Sequence, residues 1–539
     1  MSLACPPRMP WAAVVPLGMA LLVAGCGTPA RHSQSGPGTL RLVQKEEPVQ
    51  FDPHTVQDGP TIEVLMHVAE GLVQWTEQST VGPCLAERWE ISRDGRTYTF
   101  HLRPNVRFHN GRVMTAADVV YSLNRAASLP NSPVADTYLN DIVGFREVAA
   151  NPANALRGVK AVDERTVQIT IDRPRPYFLM KLTYPTGYVV ASRELSGVEQ
   201  AGGQITERNL VGTGPFKIAE YQVGKQIILE ANPDYWAGPP RLQRIIRRIV
   251  GDATTRHAMF ENGESDMLVL SMADAEQDRQ IPDLKAKMHE FPRPAVYYFA
   301  LNLRRYPPFR DRRVRQAFAH AIDRQAINRN IMQGFTTPAY GIIPQGIPGY
   351  DPNYRGLEFN PARARALLAE AGYADGSRLP PLELNFRERD PDIKRVCEAA
   401  AEMLRQNLGV QVGLREMEWG TFLARRARGE MNFYFLRWAA DYPDPQNFLP
   451  VMLHSRAGQN TIGYHNPEFD RLCEAADTDM NSSRRLALYR RAERLAVEDA
   501  PWIPIYFQKD IELWNPKLDH SVRDCVMGHL PHLTTRLEP

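Results

Sequence analysis

The sequence predicts an α/β protein of two or three lobes, on three observations. The chain has 539 residues, more than one ordinary hydrophobic core organises. Its second half alternates apolar strand-like runs with helical periods, the pattern of a layered α/β fold. Its 36 glycines and 43 prolines punctuate the chain with turns, which argues against a helical bundle. At 43% hydrophobic and 23% charged, the composition is that of a soluble globular chain. A net charge of +2 supplies no field that would recruit nucleic acid.

The first residues read as a targeting signal. Arg8 gives a positive start, and residues 11–24 are apolar but shorter than the ~20 residues a membrane helix needs. Val23-Ala24-Gly25-Cys26 resembles the lipobox of bacterial lipoproteins. That resemblance implies a signal peptide over 1–25, lipidation of Cys26, anchoring to a membrane and an exported location. Two or more acyl chains would make the anchor stable. The alternative is an ordinary secretory signal with a chance cysteine. Residues 26–38 are small and polar, a flexible tether. Export permits disulfides, and Cys84, Cys397, Cys473 and Cys525 allow three full pairings. Cys397 shares a helical face with Val396, Ala400 and Leu404, and Cys473 with Phe469, Leu472 and Ala476, so buried free thiols are expected for these two.

In chain order, residues 39–43 read as a first strand, and Asp52-Pro53 as a turn. Residues 61–73 carry a 3.6 period and predict a helix. Asp94-Gly95 turns a hairpin into residues 97–102. Thr115 caps a helix over 118–123, with Asp118 as the acid of a capping box. Asn360-Pro361 opens a helix that Gly372 closes, and a helix over 392–408 ends at Gly409. Residues 297–303, 431–436 and 501–507 read as strands.

Several of these pieces stand in a familiar order. Asp52-Pro53-His54, Glu70-Gly71-Leu72, Pro83-x-Leu85-Ala86-Glu87-x-Trp89, Asp94-Gly95, Tyr98-x-Phe100-x-Leu102-Arg103, Phe108-His109-Asn110-Gly111 and Thr115-Ala116-x-Asp118-Val119 keep their spacing. Together they resemble the family 5 extracellular solute-binding proteins of ABC transporters, the dipeptide-, oligopeptide- and nickel-binding group. Val211-Gly212-Thr213-Gly214-Pro215-Phe216 and Pro308-Phe309-x-Asp311-x-Arg313-Val314-Arg315 continue the match. The resemblance implies a two-lobed periplasmic-binding-protein-like α/β fold with an extra subdomain in the first lobe and lobes joined by crossing strands. It places lobe I over 39–295, its extra subdomain at about 76–204, lobe II over 296–505, and a return to lobe I over 506–539.

The chemistry centres on Trp438-Ala439-Ala440-Asp441-Tyr442-Pro443-Asp444-Pro445. A strand delivers a carboxylate onto a turn constrained by two prolines and flanked by aromatics, suited to meet a cation. Alternatively Asp441 only caps that turn. In peptide-binding relatives, the aspartate three residues after this tryptophan pairs with the ligand's α-amino group, which implies Asp441, with Trp438 and Tyr442 beside it. The resemblance also places Arg387 or Arg389 near the ligand carboxylate, a task that suits guanidinium. The backbone of Gly212 and Gly214 is expected to line the cleft. Asp444 reads as structural.

No Gly-x-Ser-x-Gly, His-Glu-x-x-His or phosphate-binding lysine loop occurs. His529 and His532 lack a third ligand, so neither a metal site nor a cofactor is expected. The resemblance thus implies a receptor, not an enzyme, that hands peptides or peptide-like solutes to ABC permease subunits. A nickel chelate, an opine or another cationic solute is the alternative ligand. An exported enzyme or chaperone-like protein on this scaffold is the alternative class.

Overall fold

The computed structural model describes residues 38–76, 80–129, 133–374, 376–518 and 535–537. Cys26, the signal segment, Cys525, His529 and His532 lie outside them. The architecture rests on two long strands, Met288–Leu301 and Trp502–Trp514, which pair antiparallel along their length. Both are rich in aromatic and β-branched residues, which suits strands buried on both faces. Their pairing breaks register between Pro292 and Val296. Pro292 and Pro294 cannot donate to a ladder, so the irregularity falls where Pro-Arg-Pro sits. Below it the pair belongs to one lobe, above it to the other.

One mixed sheet of eleven strands therefore runs through both lobes. On the first-lobe side it continues through Met267–Val269, Thr39–Gln44, Arg244–Ile249, Gln226–Ala231 and Phe216–Gln222. On the second-lobe side it continues through Phe433–Ala439, Leu382–Arg387 and Val412–Met417. The last two pair in parallel across the helix Pro391–Leu408, a crossover that buries Ile393, Val396, Cys397, Ala400 and Leu404 on one face. Gly409 ends the helix at φ +71° as expected, and Asp390, accepting from the Ile393 amide, caps its start.

An antiparallel sheet of Ala86–Ile91, Thr97–Leu102, Thr166–Thr170 and Val159–Asp163 stands apart, covered by the helix Ala116–Ser128. It has its own core, with Phe100, Phe108, Leu123, Val167 and Phe178 buried. The capping box at Thr115 and Asp118 is present. Arg125 ties this unit to the first lobe through two bonds to Asp52, at 2.9 and 2.7 Å. Beside it the buried His54 ring contacts the Tyr188 carbonyl at 3.0 Å, and burial lowers its pKa to about 4.

One expectation needs correction. The helix expected over 61–73 spans Gly59–Val68, and Val73 enters a short strand, Val73–Trp75. Glu70 explains the stop. Its buried carboxylate accepts from Tyr235 Oη at 2.6 Å, Thr213 Oγ1 at 2.8 Å and the Trp236 indole at 3.1 Å. These donors require the chain to leave the helix before residue 70. Cys397 and Cys473 are free and buried as expected, and Cys84 is free and buried as well.

Gly212 and Gly214 press against the end of Gly59–Val68. A Cβ on Gly212 would lie 2.0 Å from the Val68 carbonyl oxygen, and one on Gly214 would lie 2.5 Å from that of His67. Both obstacles are backbone and cannot rotate away. Gly212→Ala is expected to cost roughly 1–3 kcal/mol, the range for overpacking. A urea midpoint equal to that of the unaltered protein would remove this explanation of the turn.

Candidate functional site

The strand Phe433–Ala439 pairs with residues 295–301, and the Ala440 amide donates to the Pro294 carbonyl at 2.8 Å. Asp441 follows at the junction of the lobes. The short turn Pro445–Asn447 folds back onto it. Asn447 is fully buried, donates from Nδ2 to Asp441 Oδ2 at 3.3 Å, and accepts from the Asp441 amide at 3.2 Å. The Trp438 indole donates to the Asn447 carbonyl at 2.9 Å. Trp438 therefore acts through Asn447, holding the amide that orients the carboxylate.

The other wall comes from the opposite lobe. Tyr138, in the extra subdomain, lies beside the Asp441 carboxylate and interacts with it electrostatically. Its ring stacks on Tyr184 with centroids 3.9 Å apart and meets Tyr442 edge-on at 6.4 Å. Tyr442 is buried and also stacks on Tyr177. Tyr138, Tyr184 and Tyr442, from two lobes, thus flank one carboxylate, which has no ion-pair partner among the described residues. Asp441 keeps some exposed surface, but protein surrounds its oxygens densely. Burial raises its pKa from 3.8 to about 6, against the opposing pull of Tyr138 and the hydrogen bond from Asn447.

Asp444 points the other way. Its two oxygens accept from Arg485 at 2.8 and 2.5 Å, an ion pair buried in lobe II. The Arg485 guanidinium also lies 5.7 Å from the centroid of Tyr177 in the opposite lobe. The same pair therefore holds the turn beneath Asp441 and a contact that closes the lobes.

A cavity of about 710 Å³ opens between the lobes. Residues 42–46 and 267–271 line it from the first lobe, and residues 389–392 with Arg387 line it from the second. Arg293, inside the Pro-Arg-Pro break, reaches it from the crossing strand and pairs with Asp510 at 2.5 Å. The bond from the Ala440 amide to the Pro294 carbonyl sets the turn that carries Asp441 beside the strand that carries Arg293, although Asp441 itself does not line the cavity. Its walls include Leu42, Val43, Leu268 and Leu270, apolar surface around a polar rim, as small-molecule sites have.

The predicted residues distribute unevenly. Asp441, Trp438 and Tyr442 form one cluster. Arg387 and Arg389 both line the cavity, Arg387 bound to Asp390 at 2.5 Å and Arg389 exposed at φ +60°. Gly212 and Gly214 are not among the residues that line this cavity and pack on the end of the helix Gly59–Val68. Sequence reasoning missed Tyr138, Tyr184, Asn447 and Arg293. Asn447 lay within the proline-bound turn, and the Pro-Arg-Pro run was a visible strand break. Tyr138 stands 303 positions before Asp441, and no local pattern links them.

A cleft between two lobes hinged on paired strands, with a buried carboxylate at one end, defines a protein that closes around a small solute. The chain belongs to the bacterial extracellular solute-binding proteins, family 5, whose family model matches residues 80–460. Among curated relatives, the periplasmic oligopeptide-binding protein OppA of Escherichia coli is 31% identical over 520 residues, covering 92% of this chain and 93% of that one. Heme-binding protein A of Haemophilus influenzae is 32% identical over 489 residues, covering 87% of each. Among solved structures, the Escherichia coli murein tripeptide binding protein MppA superimposes with a TM-score of 0.79 at 27% identity, covering 93% of this chain and 98% of its own. No helix among the described residues is long and apolar enough to cross a membrane.

Proposed function

We propose that this protein captures peptides or peptide-like solutes between its lobes and delivers them to the permease of an ABC importer. The observation that carries this reading is the Asp441 carboxylate, flanked by tyrosines of both lobes on a turn beside the strand whose Arg293 lines the 710 Å³ cavity. The Tyr138 hydroxyl lies beside that carboxylate. A protonated α-amine would take its place with a full charge, which a hydroxyl cannot supply. Closure then follows because only the closed form offers Asp441 and the tyrosines together. Arg387 or Arg389 would receive a carboxylate from the other side of the cleft. The names of the oligopeptide- and murein-tripeptide-binding relatives support a peptide ligand. The cleft works by binding, without catalysis, and Cys26 would hold the protein at a membrane.

Native mass spectrometry of protein purified without denaturation tests this. A spread of masses that fit short peptides is the expected result. One discrete non-peptide mass would overturn the peptide assignment and leave the receptor role for another solute.

A further inference from the structure

We infer that the cleft selects acidic peptides, those bearing side-chain carboxylates in addition to the terminal one. The inference rests on the peptide reading above and goes beyond it to the class of side chain. Six cations reach the cavity: Lys45, Arg247, Arg256, Arg293, Arg387 and Arg389. Four acids face them: Glu46, Glu63, Asp390 and Asp392.

What matters is which of these charges are already satisfied. Arg247 is bound by Glu63 and Gln44, Arg293 by Asp510, and Arg387 by Asp390. Asp392 is bound by Arg395. Glu46 is exposed at the cavity edge, within electrostatic reach of Arg387. Arg389 meets Glu388 in an exposed pair at 3.4 Å that solvent screens, and lies within electrostatic reach of Glu418.

Lys45 and Arg256 have no carboxylate within ion-pair distance among the described residues. Arg256 is the more telling. It is half-buried, and its Nη1 donates to the carbonyls of Val250 and Gly251, both at 2.8 Å. Those bonds fix the guanidinium without neutralising it. Asp252 and Asp274 act on it only at a distance, and burial lowers its pKa. A fixed, partly desolvated cation facing a cavity is costly unless an anion arrives.

The arrangement spans both lobes. Lys45 and Arg256 belong to the first, Arg389 to the second. A peptide held by its amine at Asp441 runs into this cationic space, and Leu42, Leu268 and Leu270 exclude water around it. An aspartate or glutamate side chain meets Arg256 there with a charge-assisted bond. A lysine side chain meets like charge.

The test uses the full chain and four peptides: Ala-Glu-Ala, Ala-Asp-Ala, Ala-Gln-Ala and Ala-Lys-Ala, measured by isothermal titration calorimetry. The acidic two are expected to bind about tenfold tighter than Ala-Gln-Ala, with Ala-Lys-Ala weakest, about 1.4 kcal/mol per tenfold step. Arg256→Gln is expected to bring the ratio of glutamate to glutamine affinity towards one. Lys45→Gln with Arg389→Gln, both at exposed positions, should narrow the same ratio and serves if the first variant does not fold. Equal affinity for Glu and Gln peptides overturns the selectivity and leaves the peptide reading standing. Failure of all four to bind overturns both.

Discussion

Asp441→Asn is expected to weaken binding of amine-bearing peptides by tenfold or more at pH 7, about 1.4 kcal/mol or above. The amide keeps the shape and the hydrogen bond to Asn447 but offers no charge to an ammonium group. The wild-type affinity should also depend on pH, with a definite sign. Burial raises the Asp441 pKa to about 6, above its ordinary 3.8. Ammonium binding requires the ionised form, so affinity is full above pH 6 and falls as the carboxyl takes up a proton below it. Between pH 7 and pH 5 the loss is about tenfold, since one pH unit below the pKa leaves about a tenth of the groups ionised.

The effect on stability has the opposite sign. A carboxyl whose folded pKa is raised is held protonated by the folded state between pH 3.8 and 6. Its ionisation costs stability as pH rises through that window, and the cost stays in full above it. Asp441→Asn removes it, so the ligand-free variant should be more stable at pH 7 while binding worse. Calorimetric affinities at pH 5 and 7, with denaturation of both proteins at pH 7, check the pair of signs. Unchanged peptide affinity in the variant would take Asp441 out of the site. A pH step that persists in the variant would assign the titration to another group.

Arg485→Ala is expected to be the most destabilising single change, at roughly 3–5 kcal/mol, because it strands a buried carboxylate. Asp444 is 2% exposed and Arg485 8% exposed, and their two bonds leave the aspartate no route to water. Arg484, the preceding residue, makes the contrasting pair. It binds Asp479 at 2.9 Å with its own side chain 72% exposed, and Arg484→Ala should cost under about 1 kcal/mol. Urea denaturation of the two variants side by side is the measurement. Similar midpoints would mean that the Asp444 pair is solvated and does not brace the turn. Peptide affinity should also fall in Arg485→Ala, since the guanidinium over Tyr177 joins the lobes.

Much of the local structure was legible in the chain. The helix Pro391–Leu408 has its proline, its acidic cap and its terminal glycine in sequence, and each acts through neighbours within one turn. The capping box at Thr115 and Asp118 is equally local. The free state of Cys397 and Cys473 followed from helical faces that had to be buried. Glu70-Gly71-Leu72 was visible as a motif, but the early end of its helix was not. The donors that claim the Glu70 carboxylate come from Thr213, Tyr235 and Trp236, more than 140 positions away.

By itself the sequence determined the α/β alternation, the caps and turns, and the candidate carboxylate at Asp441, because periodicity, capping and turn chemistry act over a few residues. The tertiary structure alone decided what surrounds that carboxylate. Tyr138 and Tyr184 reach it from the other lobe, Arg293 enters the cleft at a break in the crossing strands, and Gly212 and Gly214 turn to packing. Closure of a cleft juxtaposes residues hundreds of positions apart, and side-chain burial, which raises the pKa of Asp441, exists only once both lobes are in place.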